Sequence, residues 1–259
     1  MTGETETFMI DFHSHFLPKM DDGAKSIEES LEMLRKSKES GVDTVVSTSH
    51  CYAFDGSNDI QSFLKRRKKA YDTVLNEIKG RESEYPEIVL GCEVHLVPNL
   101  STFPELKELC IENTDYLLLE MPSSEWKDKD FEEVYYITKL GIKPVIAHID
   151  RYFDMESKFS ELFSLKLLFQ ANAEGFIAHD TRRKLAKLFE IDALHIVGSD
   201  MHNTTSRPPN LAEGYAVIDK KFGKEYSRYL DLASSKILKN ELVPTPKLPK
   251  LGFLKKAFI

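Results

Sequence analysis

The sequence predicts an α/β fold, a parallel sheet closed into a (β/α) barrel, and three observations carry that prediction. Seven short, nearly continuous apolar runs alternate with amphipathic stretches, the pattern of strands buried on both faces between covering helices. The length of 259 residues suits a single domain of barrel size with seven or eight such units. No glycine-rich dinucleotide or phosphate loop follows any run, which weighs against an open, doubly wound sheet.

The elements follow in order. The first run, FMIDF, precedes the stretch SIEESLEMLRKSKESG. There Ser26 reads as an N-cap, Glu29 three residues on completes a capping box, and Gly41 is the stop. Ile27, Leu31 and Leu34 recur at helical spacing. DTVVSTS is the second strand, with a helix over roughly 59–79 behind it; EIVLGCEV and DYLLLEM are the third and fourth. A helix over roughly 128–140 leads to KPVIAHI, then LLFQANA, a helix over roughly 181–189, and finally LHIVGSD. The basic run Lys65–Lys69 lies among Phe63, Leu64, Tyr71 and Val74 at helical spacing, so it reads as a solvated helix face. Residues 1–241 are taken as one domain. From Leu242 onward Pro244, Pro246 and Pro249 exclude regular helix. That tail, 242–259, is expected to run extended along the barrel, with a partner-binding or oligomer arm as the alternative.

Composition narrows the function. The formal charge of −7 disfavours a general nucleic-acid surface. Cys51, Cys92 and Cys110 are too few and too odd in number for a disulfide framework, so a reducing cytoplasm is expected. The start MTGETETF lacks a basic, apolar leader, and no apolar run is long enough to insert in a membrane.

Chemistry concentrates at the strand ends. Strand one ends in His13 and His15, strand two in His50, strand three carries Glu93, and strand four carries Glu120. Strand five carries His148, and strand seven ends in Asp200 and His202. In a parallel barrel these ends share one face, where active sites are built, and Asp22 in the first loop can reach it. A lone strand-end histidine is ordinarily just hydrogen-bonded, and His95, His179 and His195 are left in that class. Six of seven strands presenting a ligand at one end is a different matter. Five histidines and four carboxylates suit divalent Mn, Fe or Zn. Nine ligands exceed one ion and, with bridging carboxylates, suit two or three. Cations also offset the repulsion of four carboxylates in one mouth. Arg151 and Arg207, just beyond His148 and His202, supply guanidinium groups matched to phosphate oxygens.

DFHSHFLPKMDDGAKS, STSHCY, GCEVHL, LLEMP, PVIAHIDRY and VGSDMHNTTSRPPN resemble, in order and spacing, the PHP-type protein tyrosine phosphatases of bacterial capsule and exopolysaccharide systems. The resemblance covers roughly residues 8–240. It implies a distorted (β/α)7 TIM-like barrel of the PHP type and three divalent metal ions, manganese foremost, with iron or zinc as alternatives. It assigns His13, His15, Glu93 and Asp200 to one metal, and Glu93, Glu120 and His148 to a second. Asp22, His50 and His202 go to the third, with Asp21 shaping the turn, and Arg151 and Arg207 bind the phosphoryl group. The family usually has His-Pro-Glu-Arg-Tyr where this chain has His148-Ile149-Asp150-Arg151-Tyr152; the ligand is kept. The substrate implied is a phosphotyrosine protein, such as a bacterial tyrosine kinase tail, and the chain could act as a homo-oligomer.

The expected reaction is phosphomonoester hydrolysis by in-line attack of a metal-bridging hydroxide. A cysteine-based phosphatase needs an arginine six residues after its nucleophile, and Cys51, Cys92 and Cys110 have Ser57, Pro98 and Tyr116 there. Two rivals stand: a phosphatase of a small metabolite such as histidinol phosphate, and a non-catalytic metal-binding regulator. The loops around Tyr52–Asn58 and Ser123–Asp130, with Trp126, are expected to choose the substrate.

Overall fold

In the computed structural model, which describes residues 8–246, 248 and 249, every strand pairing is parallel. The chain lays down β1 (Ile10–Ser14), β2 (Thr44–Ser47), β3 (His50–Cys51), β4 (Glu87–Leu90) and β5 (Glu93–His95). It continues with β6 (Tyr116–Glu120), β7 (Lys143–Ile146), β8 (Leu168–Asn172) and β9 (Ile196–Gly198). The order is β1-β2-β4 in one sheet and β3-β5-β6-β7-β8-β9 in the other. The two are stretches of one curled sheet: Glu93 N–H donates to Thr48 and Ser49 carbonyls at 3.0 and 3.2 Å, across the break. The last strand returns to the first. Asp200 N–H donates to His13 carbonyl at 2.7 Å, and His15 N–H to Met201 carbonyl at 2.9 Å.

The second and third apolar runs, each expected as one strand, are interrupted. Thr48 turns back onto β1, where its hydroxyl accepts from Ser14 N–H (2.9 Å) and its amide donates to Ser14 carbonyl (2.8 Å). The seam is tight. A Cβ on Gly198 would lie 2.4 Å from that of His13, so only glycine lets β9 approach β1 this closely.

Helices α1 (Ile27–Glu39), α2 (Ser57–Ile78) and α3 (Asp128–Lys139) fall where periodicity puts them. Ser26 Oγ accepts from Glu29 N–H at 3.3 Å, the cap read from the sequence. Beyond β7 come α4 (Phe159–Ser164), α5 (Ala173–Ile177) and α6 (His179–Glu190), followed by α7 (Leu211–Lys221) and α8 (Lys224–Leu238). Val45, Val46, Leu117, Leu118, Leu119, Val145 and Ile146 are fully buried. Each such side chain contributes roughly 1.5–3 kcal/mol.

One surface reading changes. The basic run on α2 is not purely solvated: Arg66 donates to Met20 carbonyl (3.1 Å), and Arg67 to Gly91 and Glu108 carbonyls (3.0 and 3.2 Å). These arginines pin the loops beneath the strand ends. The described part of the tail does run along the fold. Tyr116 hydroxyl donates to Glu241 carbonyl (2.6 Å), Tyr229 to Pro244 carbonyl (3.3 Å), and Tyr226 to Pro249 carbonyl. Lys247 and residues 250–259 lie outside the described residues. No helix among the described residues is long and apolar enough to cross a membrane.

Candidate metal centre

Glu93, at the first position of β5, stands at the middle of the strand-end face with its side chain buried. Its Oε2 lies 3.0 Å from His13 Nε2, 3.3 Å from His15 Nε2 and 3.1 Å from His50 Nδ1. Its Oε1 lies 2.6 Å from His148 Nε2, and Glu120 Oε1 is 3.6 Å from that same nitrogen. Asp200 Oδ1 is 3.5 Å from His13 Nε2, His15 Nε2 and His202 Nδ1. Asp22 Oδ1 is 3.2 Å from His202 Nε2 and 3.6 Å from His50 Nε2. All nine sequence-predicted ligands therefore meet on one face. Three groups of them bring their donor atoms within 4.8 Å of one another: His15, Asp22, His50 and His202; His13, His15 and Asp200; and His50, Glu93 and Glu120.

The proton inventory tests whether a cation fits. Gln170 Oε1 accepts from His148 N–H at 2.6 Å, which fixes the amide orientation because a backbone amide can only donate. The same oxygen meets His13 Nδ1 at 3.1 Å, so that nitrogen carries the proton. His15 Nδ1 is held by Asp21 Oδ2 at 2.9 Å, and His202 Nδ1 donates to Asp200 carbonyl at 2.9 Å. In neutral rings the Nε2 atoms of His13, His15 and His202 are then lone pairs. Yet His13 Nε2 and His15 Nε2 face each other at 3.0 Å and face carboxylates as well. His202 Nε2 and His50 Nδ1 are buried, with carboxylate oxygens at 3.2 and 3.1 Å but no hydrogen bond. Lone pairs converging on carboxylates repel unless protons or cations lie among them, so the donor set fits divalent metal.

Charge follows the same geometry. Burial opposes ionisation of Glu93, but His13 and His148 override it and hold its carboxyl well below the ordinary range. Burial also opposes charge on Asp200; His13, His15 and Arg151 keep it below that range. Burial lowers His15, while its bonds to Asp21 and Glu93 push it up to about 10. His202 moves oppositely, to about 4, through burial and the charge on His15. Two of the predicted ligands also occupy the left-handed region, His148 at φ +32° and Asp200 at φ +55°. Such strain costs on the order of 1–3 kcal/mol per residue.

The arginines converge on the same face. Arg207 Nη2 is 2.6 Å from Asp200 Oδ2, and Arg151 donates to that same oxygen. Arg151 gets there through a tight turn closed by its N–H on His148 carbonyl (2.8 Å). Arg207 is folded back by Asn203, whose Oδ1 accepts from the amides of Thr205, Ser206 and Arg207. Asp22, Arg151 and Arg207 remain 65%, 42% and 36% exposed, so the mouth is open. A cavity of 480 Å³ adjoins it, lined by Glu120, Ser123, His148, Arg151, Tyr152 and Lys158 among others.

Several residues at the site escape a search for histidines and carboxylates at strand ends. Asp21 shapes the turn, as expected, by accepting from Gly23 N–H (2.9 Å). It also orients His15 and accepts from His50 N–H (2.8 Å). A Cβ on Gly23 would fall 2.1 Å from His15 carbonyl, so the Asp-Asp-Gly turn lies flat against that ligand. Strand β8, the one without a predicted ligand, contributes Gln170 and Asn172; Asn172 Nδ2 donates to Asp200 Oδ2 at 2.8 Å. Asp11, pushed up to about 6 by burial, holds Ser199 N–H and hydroxyl at 2.8 and 2.6 Å. Polar residues inside otherwise apolar runs were the available signal. His95 is a hydrogen-bonded histidine as expected, but its partner is Glu120 Oε2 at 2.9 Å. His195 accepts from Phe169 N–H, and His179 pairs with Asp180 outside the site. Trp126 corrects an expectation: it is buried against Phe131, Tyr152 and Phe159 and does not line the cavity beside the mouth.

Known proteins resemble this chain over most of its length. The profile of a family described as "Capsular polysaccharide synthesis, CpsB/CapC" matches residues 9–239. The chain is 34% identical over 251 residues to the tyrosine-protein phosphatase CpsB of Streptococcus agalactiae serotype III, covering 91% of this chain and all of that one. It is 26% identical over 243 residues to the tyrosine-protein phosphatase YwqE of Bacillus subtilis, covering 91% and 93%. Among solved structures it matches one from a study of YwqE from B. subtilis and CpsB from Streptococcus pneumoniae, described as unique metal-dependent tyrosine phosphatases. That match has a TM-score of 0.75 and 25% identity and covers 93% and 100% of the two chains.

Proposed function

The chain belongs to the CpsB/CapC family of capsular polysaccharide synthesis, and on that footing we propose that it is a metal-dependent protein tyrosine phosphatase. The observation that carries this reading is Glu93, one buried carboxylate contacted by ring nitrogens of four imidazoles. We assign His13, His15, Glu93 and Asp200 to one divalent cation and Glu93, Glu120 and His148 to a second. Asp22, His50 and His202 take the third. Manganese is favoured, with iron or zinc as alternatives that imidazole–carboxylate sites also accept. Bound cations supply a water acidified to a nucleophile and Lewis-acid stabilisation of phosphoryl oxygens.

The chain's own residues do the rest. Arg151 and Arg207, gathered on Asp200 Oδ2, turn to the phosphoryl oxygens and neutralise the charge that develops on them. Asp21, Gln170 and Asn172 hold the ligand rings and carboxylate in orientation. The open mouth suits a phosphotyrosine on a flexible protein segment, such as a bacterial tyrosine kinase tail, better than an enclosed metabolite. We read β2 with β3, and β4 with β5, as single interrupted strands, which makes the scaffold a distorted (β/α)7 barrel. Residues 1–241 form its domain and 242–259 its tail. Three free, buried cysteines fit a cytoplasmic setting.

The test is a substrate panel: purified protein with Mn²⁺, assayed on a tyrosine phosphopeptide, histidinol phosphate and an aryl phosphate, beside His148→Ala. The phosphopeptide is expected to be preferred, with loss of all turnover in the variant. Preference for histidinol phosphate would overturn the tyrosine reading, and no turnover on any substrate would overturn the enzyme.

A further inference from the structure

A row of aromatic rings leads out of the buried centre to solvent. His202 stacks on His15 with centroids 3.9 Å apart, His15 meets His50 at 4.6 Å, and His50 stacks on Tyr52 at 5.3 Å. Tyr52 and Phe54 then lie nearly parallel, 9° apart with centroids at 5.7 Å. His95, fixed by Glu120, contacts both rings at 5.6 and 6.0 Å. Yet Tyr52 is 45% and Phe54 72% exposed, so their outer faces serve no packing inside the fold.

The loop that bears them is held in shape. Ala53 between them is buried. Its carbonyl accepts from Gly56 N–H at 3.1 Å, and Asp59 takes Asp55 N–H at 2.5 Å. Ser57 and Gln61 bind Glu105 at 2.8 and 3.0 Å. The rings are therefore presented rather than swinging freely, which lowers the entropy cost of using them.

We propose that Tyr52 and Phe54 form a specificity-determining shelf that packs against the aryl ring of the substrate, a deepening that rests on the phosphatase reading above. An aryl phosphate carries its ring directly beyond the ester oxygen, whereas an alkyl phosphate such as phosphoserine carries only a methylene there. A flat apolar surface starting one ring beyond His50 meets the first and not the second. Stacking of this kind is worth a roughly two- to tenfold change in binding per ring. Arg151 and Arg207 read the phosphoryl group common to both esters, so discrimination falls to the shelf.

The experiment compares kcat/KM on a tyrosine phosphopeptide with the same peptide bearing phosphoserine, for the Mn²⁺-loaded wild type, Tyr52→Ala, Phe54→Ala and the double variant. Tyr52→Phe and Phe54→Tyr serve as conservative controls, and metal content reports that each variant has folded its site. The tyrosine-to-serine ratio is expected to fall about twofold to tenfold in each alanine variant, through KM more than kcat, and to recover in the conservative variants. Unchanged ratios in metal-loaded alanine variants would overturn the shelf while leaving the phosphatase reading intact. A wild type inactive on the tyrosine peptide would overturn the phosphatase reading, and the shelf with it.

Discussion

At Gln170 a single amide oxygen accepts from the His148 backbone and the His13 ring, at 2.6 and 3.1 Å. A leucine could accept neither. Gln170→Leu leaves a buried imidazole proton and a buried amide unpaired, at about 1–3 kcal/mol for each unsatisfied group, and frees the His13 ring to turn. The expected outcome is a 10- to 100-fold weaker Mn²⁺ affinity with a lower melting temperature, read by metal titration and thermal unfolding. Retained affinity would remove Gln170 from the positioning set. At this scale the nine candidate ligands could be picked out in the sequence because few residue types bind hard divalent ions. Gln170, Asn172 and Asp21 were not, because their role lies in a proton placed on a neighbour's ring. Trp126 misled for the opposite reason: nothing local says that a loop tryptophan will be covered by Tyr152 and Phe159.

Among elements, strand order is what brings residues 187 positions apart in sequence, His13 and Asp200, onto one face. The strands were legible from continuous apolar runs. Their interruptions at Thr48–Ser49 and Gly91–Cys92 were not, since those depend on which neighbour each backbone amide finds. Helices α7 and α8 carry no side-chain cap at their N-termini, which removes the signal that marked α1. The start of β9 also carries a pH lever away from the metals. Burial pulls His195 down to about 4, and its Nδ1 accepts from Phe169 N–H at 3.2 Å, a bond that requires the neutral ring. The unfolded chain binds this proton near pH 6.5 and the folded one near 4. Between those values the unfolded state holds more protons, so stability falls as pH falls. Denaturant titrations should find wild type losing up to about 3 kcal/mol more than His195→Gln between pH 7 and 4. Parallel losses would contradict a half-buried, neutral His195.

For the molecule as a whole, seven apolar runs and six ligand-bearing strand ends were enough to anticipate a parallel α/β scaffold with its chemistry at one rim. Closure was less visible, since it rests on a glycine small enough to let β9 lie against His13 and on Ser14 pairing with Met201. The scaffold gathers nine imidazole and carboxylate groups on one face, a donor set that fits divalent cations. Turnover of phosphotyrosine must therefore rise and fall with metal occupancy. Phosphate release from a tyrosine phosphopeptide, followed after exhaustive chelation and again after adding Mn²⁺, tests this most directly. Loss to background on chelation and recovery with Mn²⁺ are expected; turnover that persists in protein shown by elemental analysis to be free of metal would contradict metal-dependent hydrolysis.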